Sequence, residues 1–223
     1  MKGLFFGGCN LEILTGMDKP DGREVDGVFL EKETATSFEW MKESALKDGI
    51  EMRAVSGYRS FERQREIWNR KIEEFLKMVN EEEAVRLVLK YSAFPGTSRH
   101  GWGTDIDIAG KEKISEPLEN KNYRKGGVYY DVYRWLKENA EKFGFYQVYV
   151  EESELRGIEE WHWSYAPKSV EFLRCFLEKV DASFLRGRGI KLSDYVLNSF
   201  GEYIKNYMLK INPHLYQPIP STR

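Results

Sequence analysis

Strand character is confined to four short runs, residues 51–56, 103–109, 145–150 and 161–165, and this restriction limits the fold more than any other feature. Four such runs can build one small sheet, and the helical stretches between and around them must bury their apolar stripes against it. Residues 34–47 carry Phe38, Met41, Ala45 and Leu46 at helical spacing, with Asp48-Gly49 as a stop. Ser60 is placed to cap a helix whose face is Phe61, Trp68, Ile72, Phe75, Leu76 and Val79. A second helical piece, residues 82–91, ends before Pro95-Gly96. Asp131 opens a helix bearing Val132, Trp135, Leu136, Ala140 and Phe143, and Gly144 closes it. Pro167 stands where a helix prefers its first residue, ahead of Val170, Leu173, Phe176, Leu177 and Val180. The expected fold is therefore α+β, a small antiparallel sheet surrounded by helices. Residues 111–127 form a long polar loop, of a length that is usually functional, and are a lid candidate.

After Asp181 the composition changes. The tail carries Arg186, Arg188, Lys191, Lys205, Lys210 and Arg223 against Asp194 and Glu202, a net +4, which leaves −6 on the rest of a chain of net −2. Residues 192–209 read as one helix with Leu192, Val196, Phe200, Tyr203, Ile204, Tyr207 and Met208 on a single stripe, the pattern of core packing. We thus expect one domain over residues 1–181 and a helical C-terminal extension over 182–223 packed on it, the 223 residues being ample for a single core. The near-neutral balance, with no basic stripe interleaved with aromatics, excludes a strongly basic nucleic-acid binder.

No uncharged run approaches the length of a membrane-spanning helix. The start, Met1 to Cys9, is too short in its apolar part for a signal segment, so the chain reads as cytoplasmic as written, or released without a cleavable signal. Cys9 and Cys175, far apart and outside any CxxC, read as two buried thiols.

Only three histidines are present, His100, His162 and His214, so a histidine-based site has few possible builders. His100 lies in Ser98-Arg99-His100-Gly101-Trp102-Gly103, a glycine-rich turn that feeds a strand bearing Asp105 and Asp107. Alternate strand residues share a face, so the two carboxylates project together, and a reversal at Gly101 or Gly103 can fold His100 back over them. His162 lies in Glu159-Glu160-Trp161-His162-Trp163. In a regular strand His162 shares a face with Glu160, whereas an irregular turn before Trp161 brings Glu159 near instead. Two histidines and one aspartate form a three-ligand site suited to a divalent zinc ion, with a carboxylate at hand to take a proton from water. His214 is left as a surface residue.

The string Ser98-x-His100-x-x-Gly103-x-x-x-Asp107, followed by Glu159-x-Trp161-His162, resembles the zinc D-alanyl-D-alanine carboxypeptidases of the VanY kind. These belong to the group of lysostaphin, D-Ala-D-Ala metallopeptidases and hedgehog domains. The segment Ser56-Gly57-Tyr58-Arg59-Ser60 and Gln64 resemble a further family motif, and the matched stretch runs from about Phe29 to Pro167. The resemblance implies a sheet carrying Zn2+ on His100, Asp107 and His162, with Glu159 as general base and Arg59 stabilising the oxyanion. It also implies Ser98, Gln64 and Tyr58 as substrate-binding residues.

The chain departs from the family pattern twice. Asp105 stands where a small apolar residue is usual, and either supports the metal from behind its ligands or competes as a ligand. Glu160 stands where proline is frequent, which makes Glu159 and Glu160 rival bases. The resemblance implies a peptidase removing a C-terminal D-amino acid from the stem peptide of peptidoglycan or a muropeptide. The alternatives are an endopeptidase of phage-lysin type and a non-catalytic zinc-binding module. Oligomeric state is left open.

Overall fold

A computed structural model describes residues 9–152 and 156–216. The chain begins with a helical turn α1 (Leu11–Leu14) and a hairpin of β1 (Gly22–Val25) and β2 (Val28–Glu31), then α2 (Lys32–Lys47) and β3 (Met52–Ser56). Ser60 caps α3 (Phe61–Phe75) through its side chain to Arg63 N, and Asn80 caps α4 (Glu81–Leu89) in the same way. A tight helical turn, Arg99–Trp102, leads into β4 (Asp105–Gly110). Then follow α5 (Asn120–Tyr123), α6 (Tyr130–Asn139), β5 (Phe145–Gln147), β6 (His162–Tyr165) and α7 (Ala166–Lys179). The extension contributes α8 (Ala182–Leu185), α9 (Asp194–Leu197), α10 (Phe200–Tyr203) and a π-helical turn at Ile204–Met208.

The four expected strands form one antiparallel sheet in the order β3-β4-β6-β5, within one or two residues of the expected bounds except β5, which ends at Gln147. The alternation of β4 decides what the sheet does. Ile106 and Ile108 face a core built with Phe38, Met41, Trp135, Leu136 and Trp163, beneath α2 and α6. Asp105 and Asp107 face the other way, paired across the ladder with Ser164 and His162. A second core gathers Trp68, Ile72, Val88, Phe94, Trp102 and Phe176 with Leu185, Val196, Leu197 and Tyr203 from the extension. The face of the sheet that carries Asp105 and Asp107 therefore lies between two hydrophobic bodies, and burial of its polar residues follows from that position.

Two expectations need correction. Residues 192–209 are not one helix: Asn198 and Ser199 separate α9 from α10, and both residue types compete with the helical backbone for hydrogen bonds. The break and the π-helical turn re-aim the stripe so that Tyr203 and Met208 are buried. Residues 111–127 are held near their C-terminal end, where Tyr123 is fully buried with its hydroxyl donating to Ile108 O and Asn122 Nδ2 donates to Glu116 O, while residues 111–116 are exposed. Cys9 and Cys175 are not two thiols but one disulfide, which ties the start of the described chain to α7. The hairpin β1–β2 and the turn α1 were not expected. Its Asp26-Gly27 corner has positive φ at both residues, the form that matches strand twist in a two-residue hairpin. His214 is exposed as expected, its ring stacked on Tyr146 at 4.7 Å. Residues 1–8 lie outside the described chain, as does Arg223.

Candidate metal centre

The turn that carries His100 is fixed by two glycines. Gly103 ends it at φ +68°, where a Cβ would stand 2.9 Å from Glu31 N. At Gly57 a Cβ would meet Phe29 O at 2.6 Å. That close approach brings Gly57 O within 2.8 Å of His100 Nδ1, and Arg59 N–H donates to His100 O at 3.0 Å. With Nδ1–H given to Gly57 O, the Nε2 lone pair of His100 points at Asp107 Oδ1, 3.6 Å away. Asp107 Oδ1 is buried and has no hydrogen-bond partner.

His162 comes from β6, directly across the ladder from Asp107. Ligand atoms of His100, Asp107 and His162 lie within 4.8 Å of one another. Donors about 2.0–2.1 Å from a tetrahedral cation stand roughly 3.4 Å apart, so this set closes on one ion with small adjustments. Two lone-pair atoms facing each other in a buried space, one of them an orphaned carboxylate oxygen, form a site that a divalent cation fits.

Glu159 completes the group, its Oε2 2.8 Å from His162 Nδ1. The strand begins at His162, so alternation does not extend back to Glu160, and the turn before Trp161 swings Glu159 to the site instead. Glu160 points away, is buried, and accepts from Arg124 Nε at 3.3 Å. Asp105 lies behind His162, with Oδ2 3.0 Å from Nε2.

The electrostatics follow from burial and neighbours. Burial, together with the charges of Arg59 and His162, pushes His100 well below the ordinary histidine value. Burial works against a charge on His162 too, but hydrogen bonds to Asp105 and Glu159 outweigh it and lift its pKa to about 9. Asp107 is pushed up to about 6, mainly by burial. Burial also opposes ionisation of Asp105 and Glu159, yet Arg99 holds the first and the His162 hydrogen bond holds the second below the usual range.

A cavity of about 210 Å³ opens over this group, lined on one side by Arg59, Ser98, His100, Asp107, Glu159 and His162. Gln64 and Tyr58, expected at the substrate, do not line it. Gln64 is 1% exposed and braces Arg59, accepting from its NH1 at 3.1 Å while donating to Ala93 O. Tyr58 is turned outward, packed edge-on against Phe29, its hydroxyl donating to Gly16 O. The remaining wall contains residues that sequence reasoning missed: Tyr149, Arg156, Trp161, Tyr203, Tyr207 and Met208. Trp161 lay inside the motif already singled out. Tyr203, Tyr207 and Met208 were visible only as an apolar stripe.

Comparison with known proteins gives a consistent picture. The family described as VanY, D-alanyl-D-alanine carboxypeptidase, matches residues 27–168. A D-alanyl-D-alanine carboxypeptidase of Enterococcus faecalis is 34% identical over 127 residues, covering 55% of this chain and 43% of that protein. The chain spans about half the length of the curated relatives it matches. Among solved structures, a glutamate-to-alanine mutant of the vancomycin-resistance D,D-pentapeptidase VanY in complex with Zn(II) is 28% identical. It superposes with a TM-score of 0.52 over 66% of this chain and 79% of that one. VanYB in complex with D-alanine-D-alanine, at 23% identity and TM-score 0.53, covers 84% of this chain and 90% of its own, and shares the fold. No helix among the described residues is long and apolar enough to cross a membrane.

Proposed function

Because this chain belongs to the VanY family of D-alanyl-D-alanine carboxypeptidases, we propose that it is a zinc-dependent peptidoglycan peptidase removing the C-terminal D-amino acid from the stem peptide. The observation that carries the reading is the convergence of His100, Asp107 and His162 beside Glu159 at one cavity. His100 through Nε2, Asp107 through its orphaned oxygen and His162 through Nδ1, once freed of its hydrogen bond to Glu159, would hold Zn2+. Zinc bound there supplies a Lewis acid for the scissile carbonyl and lowers the pKa of water toward ~7.

The chain's own residues do the rest. Glu159, which faces the charges of Arg156 and Arg59, accepts the proton of the attacking water and delivers it to the departing amine nitrogen. Arg59 is braced by Gln64 and by Ser56, whose Oγ lies 3.4 Å from its NH2, so a fixed positive charge faces the cavity where negative charge develops on the carbonyl oxygen. Ser98, on the same wall, offers a hydroxyl to the substrate backbone. Glu160 has neither cavity exposure nor contact with His162, which supports Glu159 as the base.

The size of the cavity favours removal of a terminal residue over cleavage inside a chain. Pockets for drug-sized ligands run from ~300 to ~1,000 Å³, and about 210 Å³ suits a small terminal residue. We further propose that residues 182–216 belong to the catalytic unit, since they line the cavity through Tyr203, Tyr207 and Met208 and share the core with α3 and α7. The disulfide supports action in an oxidising compartment, which is where peptidoglycan is met.

The test is Glu159→Ala. It retains stoichiometric zinc and loses turnover of a D-Ala-terminated muropeptide by at least about 10²-fold, the lower range of acid–base catalysis. Turnover at the wild-type rate would remove the assignment.

A further inference from the structure

His162 has two ring nitrogens, and the fold gives each a different neighbour: Asp105 Oδ2 stands 3.0 Å from Nε2 and Glu159 Oε2 2.8 Å from Nδ1. Asp105 is 0% exposed, and a buried carboxylate is costly unless it is both charge-paired and hydrogen-bonded. Asp105 is both. Arg99 donates from Nε to Oδ2 at 2.9 Å and from NH2 to Oδ1 at 3.4 Å. Ser164 Oγ donates to Oδ1 at 2.5 Å, and Thr104 Oγ1 also lies 3.3 Å from it.

The direction of these bonds is determined. Arg99 NH2 donates to Ser164 Oγ at 2.7 Å, so the single Ser164 proton is directed to Asp105. Arg99 is itself buried, its guanidinium over the Trp102 ring at 4.9 Å, and cannot swing away. An ionised carboxylate held this way can only accept from His162. A neutral imidazole has one donor and one acceptor nitrogen, so a hydrogen on Nε2 leaves the lone pair on Nδ1.

We propose that Asp105 is a positioning residue: it accepts Nε2–H of His162 and so turns the Nδ1 lone pair toward His100 Nε2 and Asp107, with Arg99 and Ser164 holding Asp105 in place. The inference rests on the reading that these three residues hold zinc. It removes Asp105 as a rival ligand, because both its oxygens are committed and it lies behind His162, off the cavity wall. It also explains the register of the ladder, which sets Asp105 opposite Ser164 and Asp107 opposite His162, one pair for support and one for the ion.

The experiment measures zinc affinity of the full chain by chelator competition, alongside the melting temperature of each metal-free protein and the ¹⁵N spectrum of the imidazoles. Carboxylates that orient a metal-bound histidine typically contribute about 10–100-fold in affinity. Asp105→Ala is expected to weaken zinc by that factor and to broaden the Nε2–H signal of His162. Asp105→Asn, which keeps an acceptor oxygen, recovers most of the affinity and the Nε2–H tautomer. The double variant Arg99→Met with Asp105→Ala removes both charges of the pair and stays weak.

Two results would overturn the proposal. One is wild-type zinc affinity in a folded Asp105→Ala protein. The other is restoration of affinity in the double variant, which would assign the effect to charge balance alone. Failure of the wild type to bind zinc at all would defeat the metal reading and this inference together; tight zinc in the wild type with an unchanged Asp105→Ala defeats only this one.

Discussion

Zinc binding to the metal-free protein is predicted to expel about one proton from its ligands at pH 7, beyond what the zinc-bound water releases, and the ligand count follows from two side chains. The ligand form of histidine is neutral and that of aspartate is ionised. With its pKa raised to about 9, His162 is almost fully protonated at pH 7 in the metal-free state. Asp107, at about 6, retains roughly a tenth of a proton there. His100, pushed well below its ordinary value, has none to give. Between pH 7 and 8 the zinc association constant therefore rises at least about tenfold, and near pH 5 almost two ligand protons are released as Asp107 contributes its own. Titration calorimetry in buffers of different ionisation enthalpy measures the proton count directly. No proton released at pH 7, together with an affinity flat from pH 6 to 8, would refute the placement of His162 between two carboxylates.

The same groups govern metal-free stability. His162 is raised, so its contribution is fully present below about pH 6.5 and is lost as pH climbs toward 9, a change of about 3 kcal/mol that thermal melts across that window would detect. Arg59→Lys gives up the fork held by Gln64 and Ser56 and lowers kcat/KM by about 10²-fold or more with zinc content unchanged; equal kinetics would remove Arg59 from the oxyanion. Gly103→Ala places a Cβ 2.9 Å from Glu31 N at φ +68°, costing about 1–3 kcal/mol in denaturant titrations and weakening zinc through the displaced His100 turn. Cys175→Ser releases a closure spanning 166 residues and lowers stability by about 2–5 kcal/mol, read as a drop in melting temperature that reduction of the wild type reproduces.

The part of the site that was legible in the sequence is the part made by local geometry. Strand alternation put Asp105 and Asp107 on one face, and glycines at 101 and 103 allowed His100 to return over it. What alternation could not say is which aspartate faces His100, because that depends on the register of β6 against β4 and on Arg99, which takes Asp105 for itself. Glu159 and Glu160 were indistinguishable for a related reason: the choice turns on whether the strand starts before or after Trp161.

The cavity wall was harder still. Tyr203 and Met208 are apolar enough to read as core, and they do pack in the core, so nothing in their spacing marks a second role. The broken helix at 192–209 hides in the same stripe, since a π-helical turn alters register without altering which residues are apolar. The Cys9–Cys175 pair carries no spacing signal across 166 residues and depends wholly on tertiary packing. The Asp26-Gly27 hairpin is different. Its signal was present in the sequence, and the structure adds that Asp26 also binds Lys42 and Ala54 N, fastening the hairpin to α2 and β3.

His100, Asp107 and His162 are proposed to hold a zinc that works with Glu159 on the terminal peptide bond of a stem peptide. Mass spectrometry of a defined pentapeptide muropeptide, incubated with zinc-loaded protein and with protein stripped by chelator, tests it most directly. The loaded protein is expected to release a single free alanine, to lose that release on stripping, and to regain it with added zinc. Two peptide fragments, or alanine release that persists in the stripped protein, would contradict it.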